Sequence, residues 1–384
     1  MSASAPTPFR LHGVASGPYF TNRAAEVKRL AHTLRSQGAK LTLFGERRMG
    51  KTSALKRAVN LVRARGTRAA YCDLSTASTI TDVANAILAA ATSVLHPRWK
   101  EIATDLARRI TLDASVSIDP ATGLAIPRLS ASFRTRQPDA QWDALKRVLD
   151  LLDTMGGERR THVGLALDEF QRVARFGGPD ALWRLRGIIQ HHEHSAYVLA
   201  GSQRGIIEQA IAVDGALFKL TELMPFGAMD AAHLAKWIDH RLSSHGVTAK
   251  GVGLACVALA GPRTMDVLQV AEAVWERART SGKADGGAVP AAIGEIVGRE
   301  APIFETRWDR LTALQQNVLR AIAAGSEKLT GAETMEQWGL GNSSQVTQTA
   351  KAMEERELLV RTANGYEFDG PFFREWVRER ALNY

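Results

Sequence analysis

The sequence contains little cysteine, two residues in 384, and no apolar run approaching the roughly 20 residues that a membrane-spanning helix requires. Its first residues, Met1 to Pro8, are small and polar, without the apolar stretch of a secretory signal. These absences argue against a membrane protein and against a disulfide-stabilised secreted domain. We expect a cytoplasmic protein in which Cys72 and Cys256 are buried thiols.

Acidic residues are scarce at one end of the chain. Residues 1–66 contain thirteen lysines and arginines against two acids, within a chain of net charge +9. Residues 303–384 contain ten basic and twelve acidic residues. The basic segment could contact nucleic acid or a neighbouring subunit. It could equally serve a bound nucleotide and exposed helix faces, and composition leaves both interpretations open.

A glycine-rich stretch at residues 45–52, GERRMGKT, fits the G-x-x-x-x-G-K-[ST] pattern of a phosphate-binding loop. The preceding residues, Lys40 to Phe44, are typical of a short buried strand, and Thr52 to Arg65 of an apolar-striped helix. Strand, loop and helix together are the context that the pattern needs. The loop and helix start are therefore predicted to bind a nucleoside triphosphate, through Gly45, Arg48, Met49, Gly50, Lys51, Thr52 and Ser53.

A second apolar stretch, Val163 to Leu167, ends in Asp168-Glu169. Carboxylates that follow a buried parallel strand lie at the edge of the sheet where α/β proteins bind ligands. Asp168 is predicted to hold Mg²⁺ together with the hydroxyl of Thr52, and Glu169 to orient and polarise the attacking water. The alternative is an acidic helix start without catalytic role.

Two weaker signals complete the predicted catalytic set. Ser202 and Gln203 follow the apolar segment Tyr197 to Ala200 and could bond the γ-phosphate or the water. Arg263, after Gly261-Pro262 at a helix start, could bring a cation to the γ-phosphate. A polar turn and an exposed structural arginine are the respective alternatives.

Strand and helix patterns alternate up to about residue 228, which predicts a parallel sheet covered on both faces. We predict a P-loop core at 1–228 with an inserted β-hairpin near 114–133, a helical lid at 229–302 and a winged helix at 303–384. The last strand of the core is placed at Ala216 to Leu220. Three helices and a hairpin are expected after residue 310, with Ser343 to Arg356 as the recognition helix.

Assembled in order, these segments resemble the AAA+/STAND-related archaeal ATPase family, relatives of the origin-recognition ATPases. The matching segments are 19–23 with Glu26, 45–53, 167–171, 200–202, 261–263 and 368–376. The resemblance implies an ASCE-type α/β P-loop NTPase core, a helical lid and a C-terminal winged helix. It also implies that Arg23 lies near the adenine of ATP and that ATP promotes a homo-oligomer.

The chain departs from this family at one point. An arginine often precedes the last core strand in relatives, whereas Ala216-Leu217-Phe218-Lys219 offers only Lys219. Arg184, Arg186 and Arg204 are weaker alternatives for an arginine finger.

Two functions remain open from the sequence. In the first, a Mg²⁺-dependent ATPase cycles between ATP and ADP and binds DNA through its winged helix and basic N-terminal face. In the second, a STAND-like signalling ATPase is regulated by a protein partner without direct DNA binding. The exposed-looking residues of the recognition helix include one cation, Lys351, which makes that helix a poor DNA anchor alone.

Overall fold

The computed structural model describes residues 7–94, 112–113, 117–118, 125–126, 132–133, 138–158, 162–178, 180–202, 204–326, 328–362 and 365–382. Contacts divide the chain into two compact units, Arg23–Gly227 and the combination of Met1–Asn22 with Ala228–Tyr384. Residues 7–22 thus group with the C-terminal unit. The predicted division into three domains stays a prediction.

The unit Arg23–Gly227 is built on a five-stranded sheet. Its strands are β1 (Lys40–Phe44), β2 (Arg68–Asp73), β7 (Val163–Asp168), β8 (Ser195–Gly201) and β9 (Glu222–Pro225). The strand order is β2-β7-β8-β1-β9, and every neighbouring pair is parallel. Strand β8, which Ser202 follows, lies between β1 and β7. The carboxyl ends of β1, which precedes the P-loop, and of β7, which ends in Asp168, therefore lie on either side of it.

Helices of this unit connect the strands. They are α1 (Ala24–Arg35), α2 (Lys51–Ala64), α3 (Ile80–Thr92), α4 (Pro138–Glu158), α5 (Arg172–Phe176), α6 (Ala181–Ile189) and α7 (Arg204–Ile211). Helix α3 begins with a capping box: the Thr79 side chain accepts from the Asp82 amide, and the Asp82 carboxylate accepts from the Thr79 amide. Such a reciprocal cap satisfies two backbone donors that the first turn leaves open.

Four short strands lie between α3 and α4: β3 (Leu112–Asp113), β4 (Ser117–Ile118), β5 (Ala125–Ile126) and β6 (Ser132–Phe133). β3 pairs antiparallel with β6, and β4 with β5. This nested antiparallel pairing is that of a hairpin. The rest of the predicted hairpin, including its turn at 119–123, lies outside the described residues.

The predicted last strand of the core, Ala216 to Leu220, is wrong. These residues form turns, in which the Leu217 amide donates to Ala210 O and the Leu220 amide to Leu217 O. Lys219 has φ 57°, a left-handed conformation that interrupts an extended chain. The strand that pairs with β1 on the side away from β8 is β9, with Leu223 opposite Thr42.

The second unit is mainly helical. Its elements are α8 (Ala231–Ser244), β10 (Thr248–Lys250), α9 (Val252–Ala260), α10 (Thr264–Ala278), β11 (Lys283–Asp285), α11 (Ala288–Asp309), α12 (Ala313–Ala323), α13 (Ala332–Trp338), α14 (Ser343–Glu355), β12 (Leu359–Thr362), β13 (Gly365–Phe368) and α15 (Pro371–Trp376). β12 and β13 form the antiparallel hairpin that was predicted after the third helix. The parallel pair β10–β11 and the 22-residue helix α11 were not predicted.

One continuous apolar core runs through this unit. It joins buried residues of α8 to α10, such as Ile238 and Val274, to buried residues of the last helices, such as Met353 and Trp376. The helical segment after residue 228 and the winged helix therefore contribute to one apolar core. Among the described residues no helix is long and apolar enough to cross a membrane.

Candidate functional site

The phosphate-binding loop occupies residues 45–50, between the end of β1 and the start of α2. Just before it, the Phe226 amide donates to Phe44 O at 2.7 Å. A Cβ on Gly45 would lie 2.3 Å from Phe226 O, so only glycine fits there. Gly50 has φ 94°, a conformation that side chains disfavour, and it caps the 14-residue helix α2. Both glycines of the pattern are thus required by the backbone, and the positive helix end faces the loop.

Lys51 is the first residue of α2, and its side chain is buried. Its ammonium group donates to Gly45 O at 2.8 Å and to Glu46 O at 2.5 Å, so it lies along the loop. Burial lowers the pKa of Lys51 to about 8, against the opposing effect of the carboxylates of Glu169 and Asp168. The phosphate oxygens of a bound nucleotide can replace these loop carbonyls as partners of the Lys51 ammonium group.

The predicted metal residues are in contact. The Thr52 hydroxyl donates to Asp168 Oδ2 at 2.7 Å, and the Tyr71 hydroxyl donates to the same oxygen at 2.9 Å. Asp168 is 3% exposed. Burial raises the pKa of Asp168, although the hydrogen bonds from Thr52 and Tyr71 oppose that rise.

This donor set fits Mg²⁺. A hydroxyl and a carboxylate are hard oxygen ligands, and Mg²⁺ is usually held by one or two carboxylates together with water and substrate phosphates. The part of the chain that the structure describes contains no cluster of three or more His, Cys, Asp or Glu side chains suited to a metal. Thr52 and Asp168 therefore suit an ion that arrives with a nucleotide rather than a metal caged by protein alone.

Glu169 follows Asp168 in a left-handed conformation, with φ 57°. The Ser202 hydroxyl lies 3.0 and 3.2 Å from its two carboxylate oxygens, and Gln171 Nε2 donates to Oε2 at 2.6 Å. The carboxylate is therefore held by donors from the ends of β7 and β8. A non-glycine residue with positive φ costs free energy, and such strain is concentrated at functional sites.

The remaining loop residues have distinct surroundings. Met49 is buried, Ser53 is half-buried, and Arg48 is exposed with φ 64°. These positions agree with residues that act in nucleotide binding through their backbone and through the shape of the loop. Their predicted nucleotide contacts stay predictions.

Arg23 precedes α1 and is 6% exposed. Its guanidinium donates to Glu26 Oε1 at 2.8 Å and to Gly227 O at 2.6 Å, and lies 4.2 Å from the centre of the Phe226 ring. These contacts tie the first helix of the unit to the segment after β9. Proximity of Arg23 to adenine stays a prediction from the resemblance.

Arg263 is 6% exposed and donates to Asp369 Oδ1 at 2.6 Å. Arg263 immediately precedes α10 and Asp369 follows β13, so this ion pair lies within the C-terminal unit and joins the helical segment to the winged helix. Of the alternative, an exposed structural arginine, the exposure is wrong because the guanidinium is buried, whereas a structural role agrees with this ion pair. Gln203 lies outside the described residues.

The arginine-finger alternatives have structural partners. Arg186 donates to Ala216 O at 2.7 Å and Phe218 O at 2.9 Å, which fixes the turns that replace the predicted strand. Arg184 pairs with Asp139 at 2.9 Å. The side chain of Arg204 is outside the described part of the chain.

Sequence reasoning missed two residues of this site, Tyr71 and Gln171. Asp73 is paired with Asp168 in the β2–β7 register, and Tyr71 shares the face of Asp73 because side chains alternate along a strand. The register would therefore have placed Tyr71 beside Asp168. Gln171 belongs to the segment 167–171 that carries the family resemblance, and only the fold shows its contact with Glu169.

Comparison with known proteins defines the fold. Residues 302–379 match the family model described as "probable winged helix domain". A Walker-type ATPase of Pyrococcus abyssi superposes with a TM-score of 0.63 at 15% identity, over 97% of this chain and 99% of that chain. No curated protein matches the chain in sequence.

Two proteins of Aeropyrum pernix are also similar. The ORC2 protein, solved in ADPNP–ADP complexes, has a TM-score of 0.54 at 14% identity, over 95% of this chain and 96% of that chain. The ORC1 protein, solved in complex with DNA, has a TM-score of 0.50 at 18% identity, over 95% of this chain and 94% of that chain. At these identities the likeness establishes the predicted fold, an α/β P-loop NTPase core with a helical segment and a C-terminal winged helix.

Proposed function

We propose that this chain is a Mg²⁺-dependent ATPase whose output is a conformational switch. The observation that carries the proposal is the meeting of three groups where β1, β7 and β8 end: the loop-bound ammonium of Lys51, the Thr52–Asp168 pair, and Glu169 held by Ser202. Phosphate charge, metal coordination and water activation each have a residue of the right chemistry there.

Each residue then has a role. Lys51 binds the β- and γ-phosphates, and Mg²⁺ held by Thr52 and Asp168 would neutralise charge on the phosphate oxygens. Glu169 accepts a proton from the attacking water. Ser202, with Gln203, contacts the γ-phosphate.

Arg263 is proposed to supply a further cation to the γ-phosphate. In this structure its guanidinium donates to Asp369 Oδ1 at 2.6 Å, and we propose that ATP draws it from that carboxylate toward the γ-phosphate. Loss of this ion pair would link the nucleotide to the winged helix, which is the sense in which ATP would switch the protein. An ATP-dependent homo-oligomer, with an arginine finger from a second copy, rests on the family resemblance.

The hydrolytic part of the proposal is tested by phosphate release from ATP by the purified chain. We expect turnover with Mg²⁺, its loss when EDTA removes the metal, and its return when Mg²⁺ is restored in excess, since Thr52 and Asp168 suit a metal that arrives with the nucleotide. Thr52→Val, which keeps shape but removes the hydroxyl, should raise the Mg²⁺ concentration needed for half-maximal rate. Equal rates in EDTA and Mg²⁺ would contradict a metal-dependent site.

We propose further that the switch acts on DNA. Support comes from the winged helix match at residues 302–379, from the A. pernix ORC1 protein in complex with DNA, and from the basic segment 1–66. Lys28 and Arg35 are exposed and seven residues apart on α1, so they lie on one face of that helix. Such a face offers phosphate contacts independent of base sequence.

Fluorescence anisotropy with a labelled DNA duplex tests the proposed DNA binding, with and without a non-hydrolysable ATP analogue. We expect affinity to fall steeply between about 50 mM and about 200 mM salt, because phosphate contacts release counterions. Lys28→Ala with Arg35→Ala should flatten this dependence. Lys236→Ala with Arg299→Ala, which removes the same charge from exposed positions of α8 and α11, is the matched control. Absence of duplex binding at low salt, both with and without the nucleotide, would exclude the proposal that the switch acts on DNA.

The second function, a signalling ATPase regulated by a protein partner, is favoured by one observation. The exposed residues of α14 include Ser344, Gln345, Thr347 and Gln348, with Lys351 as the cation of that face. A recognition helix so poor in charge gains little affinity from phosphates. Failure of the duplex titration together with intact phosphate release would favour this alternative.

A further inference from the structure

Gln171 is a buried polar side chain for which the proposed reaction has so far given no role. It is 1% exposed, and its Nε2 lies 2.6 Å from Glu169 Oε2. Its Oε1 is buried without a hydrogen-bond partner among the described residues. The reversed amide would place a carbonyl oxygen against a carboxylate oxygen, which is repulsive. The amide must therefore donate to Glu169. This orientation leaves Oε1 buried without a partner among the described residues, which costs free energy of folding.

The backbone around this contact is fixed from both sides. The amide of Phe170, whose side chain is fully buried, donates to Ala200 O at 3.1 Å and ties the segment after β7 to β8. A Cβ on Gly201 would lie 2.6 Å from Gln171 Oε1, so the glycine makes room for the amide. Glu169 itself is held at positive φ between these anchors. The backbone at residue 169 is therefore fixed, and the side chains that contact the Glu169 carboxylate set its orientation.

Ser202 and Gln171 differ in what they can give Glu169. A serine hydroxyl carries one proton, and in this structure it is donated to the Glu169 carboxylate. If Ser202 donates to the γ-phosphate, that proton is no longer available to Glu169. The Gln171 amide is buried, and its donor remains on Glu169 Oε2. At that stage Gln171 is the side chain that still restrains the carboxylate.

We infer that Gln171 is the positioning residue of Glu169: its amide holds one carboxylate oxygen so that the other faces the water after Ser202 has turned to the phosphate. The inference rests on the proposed hydrolytic function. It assigns Gln171 no contact with ATP. Its removal should therefore slow turnover and leave nucleotide binding unchanged.

The test is Gln171→Leu, which removes the donor and the unpartnered acceptor at nearly constant volume. We expect kcat to fall about tenfold to a hundredfold, the effect of losing one hydrogen bond to a charged group. The dissociation constant of a fluorescent ATP analogue should stay within about twofold. Melting temperature should not fall, because the substitution also removes a buried unsatisfied oxygen. Gln190→Leu, the same change at an exposed position after α6, is the control.

Three comparisons decide the outcome. If the parent chain releases no phosphate, the proposed function fails, and the inference fails with it. If the parent is active and Glu169→Gln is inactive but Gln171→Leu keeps the parental kcat, Gln171 only fills space and the inference alone is overturned. In the Glu169→Gln background, Gln171→Leu should cause no further loss, since a positioning residue acts through the group it positions. A full additional loss in that double variant would contradict the assignment.

Discussion

Glu169→Gln is expected to lower the rate of phosphate release by about a hundredfold to ten-thousandfold, the contribution of a general base. The amide has nearly the same shape as the carboxylate but cannot accept a proton from water at neutral pH. The NH2 group that replaces one carboxylate oxygen donates and cannot accept, so the contacts with Ser202 and Gln171 that now hold the carboxylate also change. ATP affinity should change little, because Lys51 and the loop remain.

Single-turnover phosphate release and retention of labelled ATP after gel filtration measure the two expectations separately. Glu193→Gln is the matched control, since Glu193 is exposed and precedes β8 at the opposite edge of the same sheet. It should behave as the parent in both assays. Equal turnover in Glu169→Gln and the parent would remove Glu169 from the reaction. Loss of ATP retention would instead mean that the substitution disturbs the loop.

Local sequence predicted the elements that position this site. Gly50 caps α2 at φ 94°, and the cap at Thr79 depends on residues three apart, so both can be inferred from short segments, whereas the contact of Gly45 with Phe226 O is long-range. The pairing of Thr52 with Asp168 followed from two strand-end motifs, although 116 residues separate them. Parallel strands bring their carboxyl ends to one edge, which makes such pairing predictable without knowing the full strand order.

Long-range packing decided what the sequence did not predict. The run Ala216 to Leu220 has the composition of a buried strand, but its backbone carbonyls at Ala216 and Phe218 bond Arg186 instead of a sheet neighbour. Helix α11 contains Gly294, Gly298 and Pro302, which weaken helix propensity. Its buried apolar residues, from Val289 to Phe304, nevertheless support it through the shared core. Short patterns carry no information about these partners.

Lys51→Ala is expected to weaken ATP binding by at least a hundredfold, because the cation that meets the β- and γ-phosphates is lost from a buried, water-poor site. Lys40→Ala provides an unusually close control. Lys40 begins β1, at the other end of the strand from the loop, and its ammonium also donates to two backbone carbonyls, Gly38 O at 3.0 Å and His192 O at 2.9 Å. Burial lowers the pKa of Lys40 as well. Lys40→Ala should therefore cost stability without changing ATP affinity, measured by titration of a fluorescent ATP analogue.

The pH dependence of the parent tests the same residue without mutation. The pKa of Lys51 is lowered to about 8, so the group is a cation below that pH and neutral above it. Bound phosphates favour the cation and raise the pKa in the complex. Affinity should therefore be greatest below pH 8 and fall above it by up to about tenfold per pH unit. Lys51→Arg stays charged throughout, so its affinity, even if weaker, should be level from pH 8 to pH 9.5 at about constant ionic strength. A parental affinity equally level over that range, or ATP binding by Lys51→Ala within threefold of the parent, would place the phosphate-binding cation elsewhere.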